Sequence, residues 1–371
     1  MDMTKSSLPI ILAIAGVLLF YSISVTHAQQ ALVVNRGVVE LETTASDGIS
    51  VRIAEDLARL IDDGATRRVL PIVGKSSLQN IIDLKYLRGI DVAIVQADVL
   101  DYAKNQRAIP GLDSLTYITK LYNEEFHLLV RPEIKTLADL ADQKVNVDLL
   151  GTGTDIMAGR LFDQLKLRVN PTHNSQPVAL EKLRNGDIAA VAFVAGKSSP
   201  LFAGLRGSYG LHFLSVPFDP TANSLYVPTR LTAEDYPDLV QPNQPIDTVA
   251  VGSILLAADL RLVPERNNNV TNFVEVFFTG FQSLLGPGNH PKWREVNLTT
   301  DIAGLRRNDQ AAQWLQRNAA VAGVQDPDQL RAVFSRFIDE RRQASGAAPM
   351  TDADKGALFR EFQSWKAGQQ R

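Results

Sequence analysis

Apolar residues in this chain alternate between short continuous runs and stripes at helical spacing. Ala31 to Leu41 reads as a first strand, and Ile49 to Ile61 as a helix with Val51, Ala54, Leu57, Ala58 and Ile61 on one face. Arg68 to Val73 (RVLPIV) predicts a strand. Ser76 to Leu87 predicts a helix with Leu78, Ile81, Ile82 and Tyr86 turned inward. Asp91 to Val95 (DVAIV) is unbroken apolar sequence, as in a strand buried on both faces. Thr116 to Arg131 predicts two strand-like stretches, YITKLY and FHLLVR. Thr136 to Asp139 fits a capping box that opens a short helix. Lys144 to Leu149 (KVNVDL) reads as a strand that runs into Gly151-Thr152-Gly153-Thr154 and then a helix from Asp155 to Leu165. A helix over Pro177 to Asn185 follows, with strands over Ile188 to Val194, Leu211 to Val216 and Thr248 to Ala257, and an apolar helix over Val270 to Leu284. The alternation predicts an α/β fold with largely parallel sheets.

From about Asp309 the pattern becomes helical throughout. Asp326-Pro327 offers a cap followed by proline at a first helical position, and Leu330, Val333, Phe334, Phe337 and Ile338 repeat at helical spacing. Leu358, Phe362 and Trp365 mark a last amphipathic stripe. These stripes either pack on the preceding domain or dock a partner.

The length, 371 residues, suggests two domains at ~100–200 residues each. Lys and Arg number 38 against 41 Asp and Glu, a net charge of -3, without the basic surplus of a nucleic-acid protein. Cysteine is absent, which removes disulfides, thiolate metal sites and cysteine nucleophiles together. At the N-terminus, Lys5, the apolar run Leu8 to Tyr21 and Thr26-His27-Ala28 have the layout of a secretory signal peptide over residues 1–28. The apolar core is short for a membrane span, although an uncleaved anchor is the competing reading. Export to the periplasm is expected.

Catalytic constellations are poor. The five histidines are scattered, and the sequence has no HExxH, no G-x-S-x-G and no P-loop. No catalytic residue, metal or cofactor is therefore expected. Two loops carry the local signal. Gly151-Thr152-Gly153-Thr154 lies between a strand and a helix, where backbone N–H groups and two hydroxyls could hold an anion at the positive end of the helix dipole. An ordinary turn with a threonine cap fits the same residues. Gly74-Lys75-Ser76-Ser77 repeats that geometry with an added cation, or else Ser76 only caps the helix and Lys75 is solvated. Gln96 and Asp98 end the DVAIV strand at the carboxyl edge, where open α/β sheets bind ligands, or they belong to a loop that caps the next helix.

The stretches RVLPIVGKSSLQNIIDLKYLRGIDVAIVQADVLDY, LTYITKLYNEEFHLLVR, TLADLADQKVNVDLLGTGTDIMAGRLF and GDIAAVAFVAGKSSPLFAGL together resemble the TAXI group of TRAP-transporter solute-binding proteins, over roughly Leu41 to Leu284. The resemblance implies a two-lobed type II periplasmic-binding-protein fold with two hinge strands, placed at His127 to Arg131 and Thr248 to Leu256; the C-terminal helical extension after about Asp309 departs from it, being longer than the group's core needs. It implies one lobe from 29–128 and 249–305 and the other from 129–248, and the helical extension occupies 306–371. It further implies a small carboxylate ligand, an amino acid or a dicarboxylate, delivered to a TRAP-type membrane permease. The ligand-binding residues expected on this basis are Ser46, Ser50, Gly74, Lys75, Ser76, Gln96, Thr152, Gly153, Thr154 and Phe193. The chain departs from the group where a Gly-Gly-Thr-Tyr type loop is usual, since Ala45 to Ser50 carries no tyrosine, and where Lys75 replaces a glycine. Lys75 predicts a preference for an extra anionic group. A ligand sensor without transport, and an exported enzyme on the same fold, are the alternative functions.

Overall fold

The computed structural model describes residues 37–318 apart from 45–47, 108, 204, 206–209, 220–224 and 303, together with 338, 350, 351, 354–356 and 358. The signal segment, Ser46 and most of the C-terminal stripes lie outside the described residues. The chain divides into two units, 1–312 and 313–371, and the first contains everything that positions the site.

That unit is built on one mixed sheet in the order β2-β1-β3-β10-β4-β7-β5-β6, with β8 on β4 and β9 on β10. The first end comprises β1 (Val38–Thr43), β2 (Arg68–Val73) and β3 (Val92–Gln96), all parallel. The far end comprises β5 (Lys144–Asn146), β6 (Asn170–Thr172) and β7 (Ala190–Ala195), again parallel. Between them run two long antiparallel strands, β4 (Thr116–Val130) and β10 (Ile246–Ala257). The sheet is thus less parallel than the alternation predicted, because every pair made by β4 or β10 is antiparallel. Two α/β halves joined by two long strands are what the resemblance implies. The short β8 (His212–Phe213) and β9 (Tyr226–Leu231) flank those long strands.

Local sequence explains most elements. Helix α1 (Ile49–Ile61) and strand β2 have the expected bounds. Ile53 joins the buried stripe of α1 beside Ala54, Leu57 and Ile61. The box at Thr136 is formed in full and starts a 3₁₀ turn over Leu137–Leu140. Helix α2 (Ser77–Tyr86) is rotated from the expected face. It buries Ser77, Asn80, Ile81 and Leu84, while Tyr86 is exposed. Asn80 is the cause: its amide donates to the carbonyls of Thr43 and Ile94 at 3.0 and 3.4 Å, tying the helix to the ends of β1 and β3. The two stretches predicted over Thr116 to Arg131 are one strand, because β4 changes neighbours without breaking. It pairs β10 as far as Glu125, and β7 from Glu125 onward. The expected strand at Lys144 to Leu149 stops at Asn146, and Asp148 takes a left-handed φ of 68°.

Among the described residues, the remaining α-helices are α3 (Ala97–Asp101), α4 (Gly153–Gln164), α5 (Gln176–Asn185), α6 (Pro264–Leu284) and α7 (Asp309–Arg317). Phe277 and Phe281 of α6 close on Trp293, with Phe273 packed behind on Phe277, and the Trp293 indole N–H donates to Asp56 of α1 at 2.8 Å. A separate aromatic cluster in the far half surrounds buried His127 with Phe202, Phe213 and Tyr236. Burial holds that imidazole neutral, with its pKa lowered to about 4. Its Nε2 lies 2.7 Å from the Tyr236 hydroxyl. None of the helices in the described residues is long and apolar enough to cross a membrane.

Candidate functional site

A cavity of about 210 Å³ lies where the carboxyl ends of the two parallel strand sets face each other. Thr44, Lys75, Ser76, Ser77 and Gln96 line it from the first half. Asp148, Leu149, Thr152, Gly153, Thr154, Ser175, Gln176, Pro177 and Val194 line it from the far half, and Glu124 from β4.

Three helices begin at this cavity, and each has a hydroxyl residue at its cap. Ser76 caps α2, its Oγ accepting from Gln79 N–H at 3.2 Å. Thr152 caps α4, its Oγ1 accepting from Asp155 N–H at 3.2 Å while its own proton goes to the Leu149 carbonyl at 2.8 Å. Ser175 stands at the cap of α5, with proline in the first turn. The first-turn N–H groups and the positive ends of three helix dipoles therefore converge on one space.

Of the expected site residues, Lys75, Ser76, Gln96, Thr152, Gly153 and Thr154 come together around this cavity. The hydroxyls serve the framework more than was expected. Thr154 Oγ1 accepts from Val194 N–H at 3.0 Å and fastens α4 to β7. Ser50 is fully buried one step behind the wall, where its hydroxyl donates to the Thr44 carbonyl at 2.8 Å and accepts from Thr44 N–H at 3.1 Å. Gly74 is also behind the wall. Its N–H donates to the Thr43 carbonyl at 2.9 Å, and a Cβ there would overlap Asn80 and Glu42. Phe193 points to the opposite face of β7, packing on Phe202 with centroids 6.0 Å apart, and its neighbour Val194 faces the cavity instead. Side chains of consecutive strand residues alternate between faces, so a one-residue choice decides this. Lys75 is exposed at the rim.

Sequence reasoning missed Glu124, Asp148, Ser175 and Gln176. Ser175 and Pro177 carry the same cap signal used at Ser76 and would have been found by it. Glu124 offers no local signal, since it is one of two adjacent glutamates in a strand. Gln96 Nε2 donates to the Glu124 carboxylate, and Gln96 N–H donates to Ser77 Oγ at 3.3 Å. Asp148 has its pKa raised by burial, against hydrogen bonds from Leu149 N–H and the Gln176 side chain, with the Asp155 charge adding to the rise.

The two halves touch across the cavity. A Cβ on Gly153 would overlap the Gln96 side-chain carbonyl, so any larger residue there would force the Gln96 side chain to move. Further along, Tyr226 on β9 donates to Asp98 on α3 at 2.9 Å, and Arg160 on α4 pairs with Asp101 at 2.7 Å.

No curated protein matches the chain. Among solved structures it is similar to the periplasmic aliphatic sulphonate binding protein SsuA from Escherichia coli, at 16% identity over 90% of this chain and 92% of that one, TM-score 0.39. The alkanesulfonate-binding protein SsuA from Xanthomonas axonopodis pv. citri, bound to MOPS, shows 13% identity over 77% and 92%, TM-score 0.39. An ABC transporter structure from Parabacteroides distasonis shows 12% identity over 79% and 94%, also at 0.39. Superpositions this loose transfer neither ligand nor partner. The family model does not depend on them: it matches residues 47–263, more than half of the chain and every segment that lines the cavity except Thr44, and the chain belongs to the NMT1-like family.

Proposed function

We propose that this protein is an extracytoplasmic solute-binding receptor of the TAXI type. It captures a small carboxylate-bearing ligand in the cleft and delivers it to a TRAP-type permease. The lobes are taken as 29–128 with 249–305, and 129–248, rotating about β4 and β10 near Glu125, where β4 pairs both β10 and β7. The observation that carries the reading is the convergence of three helix N-termini, two of them capped by a hydroxyl side chain, on one cavity between the halves. Such ends supply oriented N–H donors and positive potential without needing an arginine. Buried Gln96 and Gln176, each with a side-chain oxygen lacking a partner, mark the same walls as built for a guest.

A carboxylate and amino-acid panel tested by thermal shift on the purified chain checks the binding step. A true ligand at ~100 times its Kd adds about 2.7 kcal/mol to stability. Reconstitution with TRAP-type membrane subunits in vesicles checks delivery. Uptake should follow an ion gradient and need no ATP, and uptake that requires ATP would reassign the partner. Lys75 at the rim should contribute little: Lys75→Ala is expected to lower affinity by about fivefold at most, as for other exposed charges.

A further inference from the structure

Resting on the two rotating lobes proposed above, we infer that Asp98, Tyr226, Arg160 and Asp101 form a latch that holds the halves together without touching the ligand. Asp98 and Asp101 are on α3, in the first half, whereas Arg160 on α4 and Tyr226 on β9 are in the far half. The Tyr226 hydroxyl donates to Asp98 Oδ2 at 2.9 Å, and the Arg160 guanidinium donates to Asp101 Oδ2 at 2.7 Å. Both bonds therefore cross from one half to the other. Asp98 is fully buried and Tyr226 nearly so, which shields the first bond from water. None of the four residues lines the cavity. They are positioning residues, acting on the angle between the halves and through it on the cavity.

Opposed forces mark this network as a joint. Asp98 Oδ1 and Arg160 Nε are buried without a partner among the described residues. Each disfavours the closed arrangement, because water would satisfy it once the halves part. Apolar packing acts the other way: Val99 and Leu100 of α3, Met157 and Leu161 of α4, and Tyr226 belong to one buried cluster. Such opposition brings the two arrangements close in free energy, as a moving contact requires and a fixed framework does not. Helix α3 also runs directly into a π-helical turn over Tyr102–Gln106, and the Arg160 guanidinium lies 5.9 Å from the Tyr102 ring centroid. Turns of this kind are rare and recur at functional positions. Tyr226 pairs in register with Val251 of β10, one of the two strands on which the halves would turn. A ligand held only by the closed form gains apparent affinity from whatever the latch adds to the closed population.

The chain has no cysteine, so nitroxide labels attach only where a cysteine is introduced. Arg88→Cys in the first half and Glu181→Cys on α5 are both exposed positions. Double electron–electron resonance on this labelled pair, with no ligand added, reads the separation of the halves. Tyr226→Phe keeps the ring and removes the hydroxyl, and Arg160→Met keeps the apolar stem. The wild type should show one dominant distance. Each variant should add a longer one, lowering the ratio of closed to open molecules by about tenfold or more, with an unchanged circular dichroism spectrum. Asp101→Asn, at the exposed end of the network, should shift the ratio less and in the same direction, and it tests the latch even if a buried change prevents folding. Two distances already present in the wild type, in a ratio that no variant alters, overturn the latch and leave the rotating lobes standing. One identical distance in every variant, even with a lower melting temperature, makes the network ordinary framework and overturns the latch and the rotation together.

Discussion

Glu124 and Glu125 are neighbours on β4, and they face regions of opposite construction. Glu125 meets Lys292, whose ammonium lies 3.3 Å from the Glu125 carboxylate and 2.8 Å from Glu295, and donates to the Asn123 carbonyl at 3.0 Å. Lys197 N–H adds a hydrogen bond to Glu125 at 2.7 Å. Burial raises the Glu125 pKa, and the Lys292 charge opposes it. For Lys292, burial disfavours the charge, yet Glu125 and Glu295 together keep its pKa above the ordinary value. Here the chain supplies its own counter-charges, and the cluster clamps the segment around Trp293 to the point where the two halves join. On the other face, Glu124 lines the cavity together with Asp148, Gln96 and Gln176, and accepts from the Gln96 side chain. The difference separates two uses of buried polarity. Charges paired within the chain hold the framework, whereas on the cavity wall the Gln96 and Gln176 side-chain oxygens are buried without a partner among the described residues.

The largest expected effect breaks the cleft side. Gly153→Val places a branched side chain where the Gln96 carbonyl now sits, which forces the Gln96 side chain to move. Binding should be abolished, by titration calorimetry, while the circular dichroism spectrum stays native. Normal affinity in this variant would show that the close approach plays no part in capture.

The framework side is broken next. Lys292→Met leaves Glu125 buried with its main cation gone, and urea unfolding should show a loss of about 3–5 kcal/mol. The double change Lys292→Met with Glu125→Gln should recover part of that loss. If the single variant is as stable as wild type, the cluster is not a clamp.

The smallest effect sharpens the comparison with an intermediate case. Asp98 is fully buried, and its pKa is raised to about 6 by burial, opposed by the Tyr226 hydrogen bond and the Arg160 charge. The folded chain therefore holds this proton more tightly than the unfolded chain, whose carboxyl titrates near ~3.9. The contribution to stability is fully present below that value and is lost as pH rises through about 6. Between roughly pH 5 and 7.5 the wild type should lose about 1–2 kcal/mol relative to Asp98→Asn, followed by urea unfolding at each pH. Parallel pH profiles would mean that Asp98 is not held protonated by its surroundings.

What this sequence determined by itself is everything set by neighbours in the chain. Helical spacing placed α1, the RVLPIV run placed β2, and Thr136 with Asp139 placed a capping box. The glycine–threonine turn before α4 and the serine before α2 announced two of the three helix ends at the cleft. These features depend on local dihedral preferences and on hydrogen bonds a few residues long. Tertiary structure alone decided the rest. It made Thr116 to Val130 one strand by giving it two successive neighbours, and it turned Val194 rather than Phe193 to the cavity. It brought Gln96 against Gly153, and it put Glu124 and Asp148 on the walls of one cavity. Each of those facts is a contact between residues far apart in sequence. Strand periodicity says that alternate side chains part company, but only the packed sheet says which set faces the ligand.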